Sequence, residues 1–252
     1  MWHIRLQTEA GLRKAHRCLD LRTMVLSLPL VLGLGFLLGL RHAFEPDHLA
    51  AVSTLVTRAG RVRDAARLGV AWGVGHTVSV GVVALLVIAL GIELPARLAT
   101  IAELLVALLL MGLGGFVLLR YARGRWHMHF HEHDGAAHLH LHSHAREQAH
   151  SHGHAQWDAR RSLGLGLAHG LAGSGAVLVL IVAATPTAAL RLGYVGAFGA
   201  GTIAGMVTVS VVLGVLVRAA TRRGARLATA IHLGAATASV VVGLLLGVRL
   251  VA

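Results

Sequence analysis

Six apolar runs divide the chain, at about residues 30–55, 69–91, 98–119, 163–184, 192–217 and 227–250. Each run is close to the roughly 20 residues that an α-helix needs to cross a bilayer. None of them shows the alternation of a β-strand, and only helices and closed barrels satisfy their backbone in lipid. The pattern therefore predicts an all-α, polytopic membrane protein with six transmembrane helices.

The composition agrees with a membrane protein rather than a water-soluble one. Apolar residues make up 56% of the chain and charged residues only 13%, whereas a soluble domain carries about 25% charge. The 31 glycines suit closely packed membrane helices. The single cysteine, Cys18, excludes an internal disulfide, a cysteine-rich zinc site and a two-cysteine redox motif.

The basic residues predict an orientation in the membrane. They outnumber the acidic residues by 23 to 11, but they lie between the apolar runs rather than along one face. We therefore expect no nucleic-acid partner. Arginine is concentrated in the connections between spans 1 and 2, 3 and 4, and 5 and 6. The positive-inside rule places these connections in the cytoplasm of a bacterial inner membrane, with both chain ends outside.

One basic segment conflicts with this orientation. Residues 1–23 contain several arginines and a lysine, which would favour the cytoplasm. We interpret them as a basic N-terminal segment that is possibly not native, with Met24 as a hypothetical start. The remaining divisions are a first three-helix unit at 24–120, a connection at 121–162 and a second three-helix unit at 163–252.

The two three-helix units share short sequences. Residues 39–43 (GLRHA) recur as 166–170 (GLAHG), and residues 71–75 (AWGVG) recur as 197–201 (AFGAG). Because each unit holds an odd number of spans, the second copy would be inverted in the membrane. An inverted 3+3 repeat is typical of transporters, whose substrate site lies at the repeat interface near the midplane.

The first span contains ionisable residues around a proline. On a straight helix His42 and Asp47 would be about 140° apart and could not share a face with His48. Pro46 cannot donate to the carbonyl of residue 42, so we predict a broken helix whose polar side chains turn inward. Two imidazoles and a carboxylate suit a divalent transition metal. The alternative is a polar network that only joins helices.

Three further polar positions lie at predicted membrane depth. His76, flanked by glycines in the second span, is interpreted as a fourth metal ligand, with a hydrogen-bonded core histidine as the alternative. His169 occupies the repeat position of His42. It is a possible ligand or pathway residue, as are Thr77 and Ser174.

The connection between the third and fourth spans is rich in histidine. Because the segment has no apolar face, we expect it to be disordered, and we also expect it to be cytoplasmic and able to hold or hand over metal. A solvated linker of biased composition is the alternative. The eleven histidines are His127, His129, His131, His133, His138, His140, His142, His144, His150, His152 and His154.

The segment at residues 39–49, GLRHAFEPDHL, resembles the His-x4-Asp-His signature of the nickel/cobalt transporter family. Residues 72–77, WGVGHT, are similar to its second motif, and 167–175, LAHGLAGSG, look most like its UreH-like branch of urease accessory proteins and nickel permeases. The chain differs from the longer permeases in its six spans and in Glu45-Pro46, where they usually have Asp-Ala.

The resemblance implies transport of Ni²⁺ or Co²⁺ through the inner membrane, with His42, Asp47, His48 and His76 as functional residues. The metal would be the transported ion rather than a catalytic cofactor, and the chain would not be an enzyme. Expected partners are the metal ion, the lipid bilayer, and nickel chaperones or urease accessory proteins. The alternatives are nickel/cobalt efflux, an intramembrane metalloenzyme and a non-transporting accessory factor.

Overall fold

The computed structural model describes residues 28–57, 61–91, 95–123, 127–133, 136–142, 154–173 and 187–251. Helices form the membrane part of this structure. They are α1 (Leu28–His42), α2 (Pro46–Val56), α3 (Val62–Leu90), α4 (Ala96–Ala122), α5 (His154–Gly173), α6 (Ala188–Arg223) and α7 (Ala225–Val251). Strands β1 (His127–His133) and β2 (Ala136–His142) lie in the connection between α4 and α5.

Four helices, α3, α4, α6 and α7, are long and apolar enough to cross a membrane, and the bent pair of α1 and α2 has the composition of a broken span or a re-entrant loop. Their outer faces are apolar: Leu30, Leu90 and Val248 are each 63% exposed, as side chains facing lipid tails would be. The chain is therefore a helical, multi-pass membrane protein. Helix α5 covers the first part of the predicted fourth span, whose remainder lies outside the described residues, so six spans stay a prediction.

The helices extend beyond the apolar runs that predicted them. Helix α3 begins at Val62 and α6 continues to Arg223, so both include arginines that flank the apolar stretch. A helix need not end at the membrane surface, because arginine can extend its long side chain to the interface. Helix α3 is followed by Gly91, whose φ of 61° is the left-handed conformation that favours glycine at a helix C-terminus.

The first span is broken at the predicted proline. Helices α1 and α2 meet at an angle of 58°, and Pro46 is the first residue of α2, where its missing N–H is not needed. The carbonyl of His42 instead accepts a hydrogen bond from the Glu45 N–H at 3.0 Å. The break predicted from Pro46 is confirmed, and a tight turn satisfies the carbonyl that the proline cannot reach.

Glycines allow the helix backbones to approach closely. Helix α3 packs against both α5 and α6, and α4 packs against α7. A Cβ atom at Gly39 would meet the Phe198 carbonyl oxygen on α6, and one at Gly166 would meet the Trp72 carbonyl oxygen on α3. Such small-residue contacts replace the hydrophobic effect as the source of helix association in lipid.

Hydroxyl groups add hydrogen bonds between the same helices. Ser79 and Ser162 donate to the carbonyls of Leu167 and Leu68 at 2.7 and 2.8 Å, which joins α3 to α5 at two levels. Thr202 on α6 donates to the Gly39 carbonyl at 3.3 Å. These bonds fix the register of α3 and α5, on which the polar interior of the bundle depends.

The histidine-rich connection contains structure that we did not predict. Strands β1 and β2 pair antiparallel and set histidine opposite histidine in three pairs, His127 with His142, His129 with His140 and His131 with His138. The prediction of disorder is wrong for these residues, because histidine alternates there with Met128, Phe130, Leu139 and Leu141 at the period of a β-strand. The all-α class is therefore confirmed for the membrane part only.

Some predictions concern residues that the structure does not describe. They are those for His144, His150 and His152 in the connection and for the basic segment at 1–23.

The close contact at Gly166 makes a stability prediction. Gly166→Ala should lower the thermal unfolding midpoint of the detergent-purified protein, because its Cβ would press on the Trp72 carbonyl and overpacking costs about 1–3 kcal/mol. Gly164→Ala, two residues away with open space around it, is the matched control and should leave the midpoint equal or slightly higher. Equal midpoints for the two variants would contradict this packing.

Candidate metal site

Five side chains of the ligand type come together inside the bundle. His42 ends α1, Asp47 and His48 stand in the first turn of α2, His76 lies in α3, and His169 lies in α5. His48, His76 and His169 are fully buried and His42 is 6% exposed. The break in the first span is what lets residues 42, 47 and 48 reach the same interior.

One group of three possible ligands consists of His42, His48 and His76. One ligand atom from each lies within 4.8 Å of the other two. The Nε2 atoms of His42 and His76 are 3.2 Å apart, and the rings of His42 and His48 are 4.4 Å apart between centroids. A modest adjustment would place these three nitrogens around one transition-metal ion, to which imidazole nitrogen binds at about 2.0–2.1 Å.

A second group consists of Asp47, His48 and His169, with the same spacing limit of 4.8 Å. Asp47 Oδ2 lies 3.0 Å from His169 Nε2, and Asp47 Oδ1 lies 3.2 Å from His48 Nδ1. The rings of His48 and His169 are 4.4 Å apart. His48 thus belongs to both groups and stands between the histidines of α1 and α5.

Several nitrogens of the cluster are buried without a hydrogen bond. They are both ring nitrogens of His48 and the Nδ1 atoms of His76 and His169. The contact between His48 Nδ1 and Asp47 is close enough for an ion pair but lacks the alignment of a hydrogen bond. A buried polar atom without a partner costs about 1–3 kcal/mol. Nitrogen lone pairs held in this way fit a metal ion that would supply the missing partner.

Glu45 is a member of the site that sequence analysis missed. Its Oε2 atom lies 2.9 Å from His42 Nδ1, while Nε2 of the same ring faces His76. A carboxylate on the outer nitrogen of a histidine orients the ring toward a metal and raises its basicity. The spacing of three residues between His42 and Glu45 could have indicated this contact. The sequence analysis mentions Glu45 only as a difference from the longer permeases.

Two aromatic rings from the repeated sequences border the cluster. Phe198 of α6 lies 5.3 Å from the ring of His42, and Trp72 of α3 lies 5.6 Å from the ring of His169. Both are buried. Sequence analysis had quoted both residues as part of the repeat but had not connected them with the histidines.

The other residues predicted from the sequence do not contact the cluster or lie outside the described residues. Thr77 donates from Oγ1 to the Gly199 carbonyl at 3.3 Å, a bond between helices rather than a contact with the cluster. Ser174 and the side chains of the eleven histidines in the connection lie outside what the structure describes. His232, which has no predicted role, is buried in α7 and has its Nδ1 atom 2.7 Å from Thr57 Oγ1.

Apolar membrane-spanning helices around a buried set of imidazoles and a carboxylate define a membrane protein that handles metal ions. Comparison with known proteins agrees with this class. Residues 29–252 match the family NicO, described as high-affinity nickel-transport protein, and the chain belongs to that family. It therefore belongs to a family of metal transport proteins and is not an enzyme.

A curated relative is the urease accessory protein UreH of Bacillus sp. (strain TB-90). It is 32% identical to this chain over 185 residues, which cover 73% of this chain and 76% of the relative. No solved structure matches the chain.

The unpartnered nitrogens of His48 make a second stability prediction. In metal-free protein, His48→Leu should unfold at the same or a higher temperature than the parent, because leucine removes two buried polar atoms that lack hydrogen bonds. The control is His232→Leu, which loses the bond to Thr57 and should cost about 1–2 kcal/mol. Thermal unfolding in detergent measures both, and greater destabilisation by His48→Leu would refute the idea that His48 is unsatisfied.

Proposed function

We propose that this protein carries Ni²⁺, and secondarily Co²⁺, across the bacterial inner membrane toward the cytoplasm. The observation that carries the proposal is the buried cluster itself: ligand-type nitrogens without partners, in a chain of the nickel-transport family. His42, Asp47, His48 and His76 are the proposed ligands, with His169 as a pathway residue.

The donor set favours a borderline transition metal. Three imidazoles suit Ni²⁺ and Co²⁺, whereas Mg²⁺ and Ca²⁺ prefer sites made of oxygen. Asp47 supplies a negative charge, which offsets part of the charge of the dication in a low-dielectric interior. The inside-negative membrane potential contributes about 2.3 kcal/mol per elementary charge for each 100 mV, so it favours inward movement of a dication.

We also propose the inverted repeat. Gly39 packs on the Phe198 carbonyl and Gly166 packs on the Trp72 carbonyl. In the sequence repeats Gly39 corresponds to Gly166, and Phe198 corresponds to Trp72. Each contact is therefore the repeat equivalent of the other, as a pseudo-two-fold axis requires. Further reciprocal contacts are those of Gly75 with Leu163 and Gly201 with Phe36, and those of Gly73 with Ile203 and Gly199 with Thr77.

In the proposed topology the arginine-rich helix ends and the histidine-rich connection face the cytoplasm. Arg120, Arg222 and Arg223 stand in the last turns of α4 and α6, where six spans would place them on one side. The eleven histidines would then hold nickel beside the inner opening of the pathway and pass it to chaperones or urease accessory proteins.

Efflux is the second candidate, and the histidine-rich connection is the observation that favours it. If the connection is cytoplasmic, it could load metal for export as readily as receive it. A non-transporting accessory factor is a further candidate, suggested by the name of the curated relative. Measurements of metal flux and of its direction distinguish uptake, efflux and a non-transporting accessory role.

Flux in liposomes tests transport and the site together. Purified protein should move Ni²⁺ into vesicles, and His48→Asn should reduce the rate at least tenfold, since asparagine lacks an atom at the Nε2 position and loss of a supporting partner alone costs about 10–100-fold. His232→Asn is the matched control, because its amide can still bond to Thr57, and it should transport normally. Equal flux for His48→Asn and the parent would eliminate the proposed ligands, and no flux at all would favour the accessory factor.

Direction is tested in cells. Cells that express the parent should accumulate more radioactive nickel than cells that express His48→Asn at the same level, because the dication follows the membrane potential inward. Lower accumulation with the parent would reverse the assignment to efflux.

A further inference from the structure

We infer that the cluster holds two alternative metal positions that share His48, and that the ion passes from one to the other during transport. Position 1 is formed by His42, His48 and His76, and position 2 by Asp47, His48 and His169. The inference rests on the proposed function and adds to it a second site with a carboxylate in place of one imidazole.

The placement of His48 supports sharing. Its ring lies 4.4 Å from the ring of His42 and also 4.4 Å from the ring of His169. It is fully buried, and neither of its nitrogens has a hydrogen bond. A neutral imidazole has one lone pair for a metal, so His48 can serve one ion at a time. The two positions are therefore mutually exclusive.

Each position contains a direct contact between two of its own ligand groups. His42 and His76 approach to 3.2 Å between their Nε2 atoms, a hydrogen bond once one ring carries the proton. Asp47 and His169 approach to 3.0 Å between Oδ2 and Nε2. An ion in position 1 must replace the first contact and can leave the second intact, and the reverse holds for position 2. Movement of the ion therefore exchanges one contact for the other, with His48 as a ligand at either position.

The surroundings of the outer histidines match across the two positions. His42 lies beside Phe198 and His169 lies beside Trp72, at 5.3 and 5.6 Å between ring centroids. Each of these histidines is thus bordered by an aromatic ring from the other half of the chain. The ligands of position 1 all lie in the first half, whereas His169 of position 2 lies in the second half. Relative movement of the two halves would therefore open or close position 2 and leave the ligands of position 1 together.

Binding of Co²⁺ to the purified full-length chain tests the two positions directly. The parent for this experiment has the eleven histidines of residues 127–154 replaced by glutamine, so that the connection does not compete for metal. It should bind one Co²⁺ in the cluster. His42→Asn and His169→Asn should each still bind one Co²⁺, because each leaves the other position intact. Their d–d absorption spectra should differ from each other, because each variant retains a different ligand set.

His48→Asn should lose binding at both positions, and either outer variant should lose at least tenfold in liposome flux. Correct folding is checked by the elution profile and thermal midpoint, with His232→Asn as the matched control. Two Co²⁺ ions per parent chain, or a His169→Asn variant with unchanged spectrum, affinity and flux, would overturn the shared positions. If His169→Asn is unchanged and the parent transports normally, the two positions are overturned but the proposed transport is not. The predicted spectra without any parent flux would uphold the two positions and overturn transport.

Discussion

The break between α1 and α2 is the constraint on which the interior of this protein depends. A continuous helix would spread His42, Asp47 and His48 around its circumference and expose part of the set to lipid. The turn at residues 43–45 changes the chain direction by 58° and sends all three inward. Because Glu45 donates its N–H to the His42 carbonyl, the backbone remains hydrogen-bonded at the break. Irregular backbone at membrane depth is tolerated only under that condition.

The rest of the bundle encloses this break through contacts between backbones rather than through large side chains. Gly39 and Gly166 let α1 and α5 lie directly against carbonyls of α6 and α3. The same close approach places Trp72 and His76 of α3 at the cluster. The hydrogen bonds of Ser79 and Ser162 fix the register of α3 and α5 that this placement requires. Small residues at helix contacts and the position of the candidate metal ligands are therefore two results of one packing arrangement.

The sequence predicted the parts of the site that have local causes. His42, Asp47 and His48 follow from one motif, and the break follows from the proline that interrupts it. His169 was left open between roles, because its approach to Asp47 depends on how α5 packs against the first half of the chain, which no local pattern encodes. Glu45 was missed although its spacing from His42 gave a signal. The strands at 127–142 were missed because the alternating histidines were treated as composition rather than as a period of two.

Stability and function act in opposite directions at the cluster. Four ring nitrogens are buried without hydrogen bonds, which a protein selected only for stability would replace with apolar atoms. Such a cost persists where a ligand supplies the missing partner. The candidate ligands also contact one another, His42 with His76 and Asp47 with His169. These contacts would compete with a metal ion for the same atoms, so that binding at the proposed site would stay reversible. A transporter needs that compromise, because an ion bound too tightly is not released on the other side of the membrane.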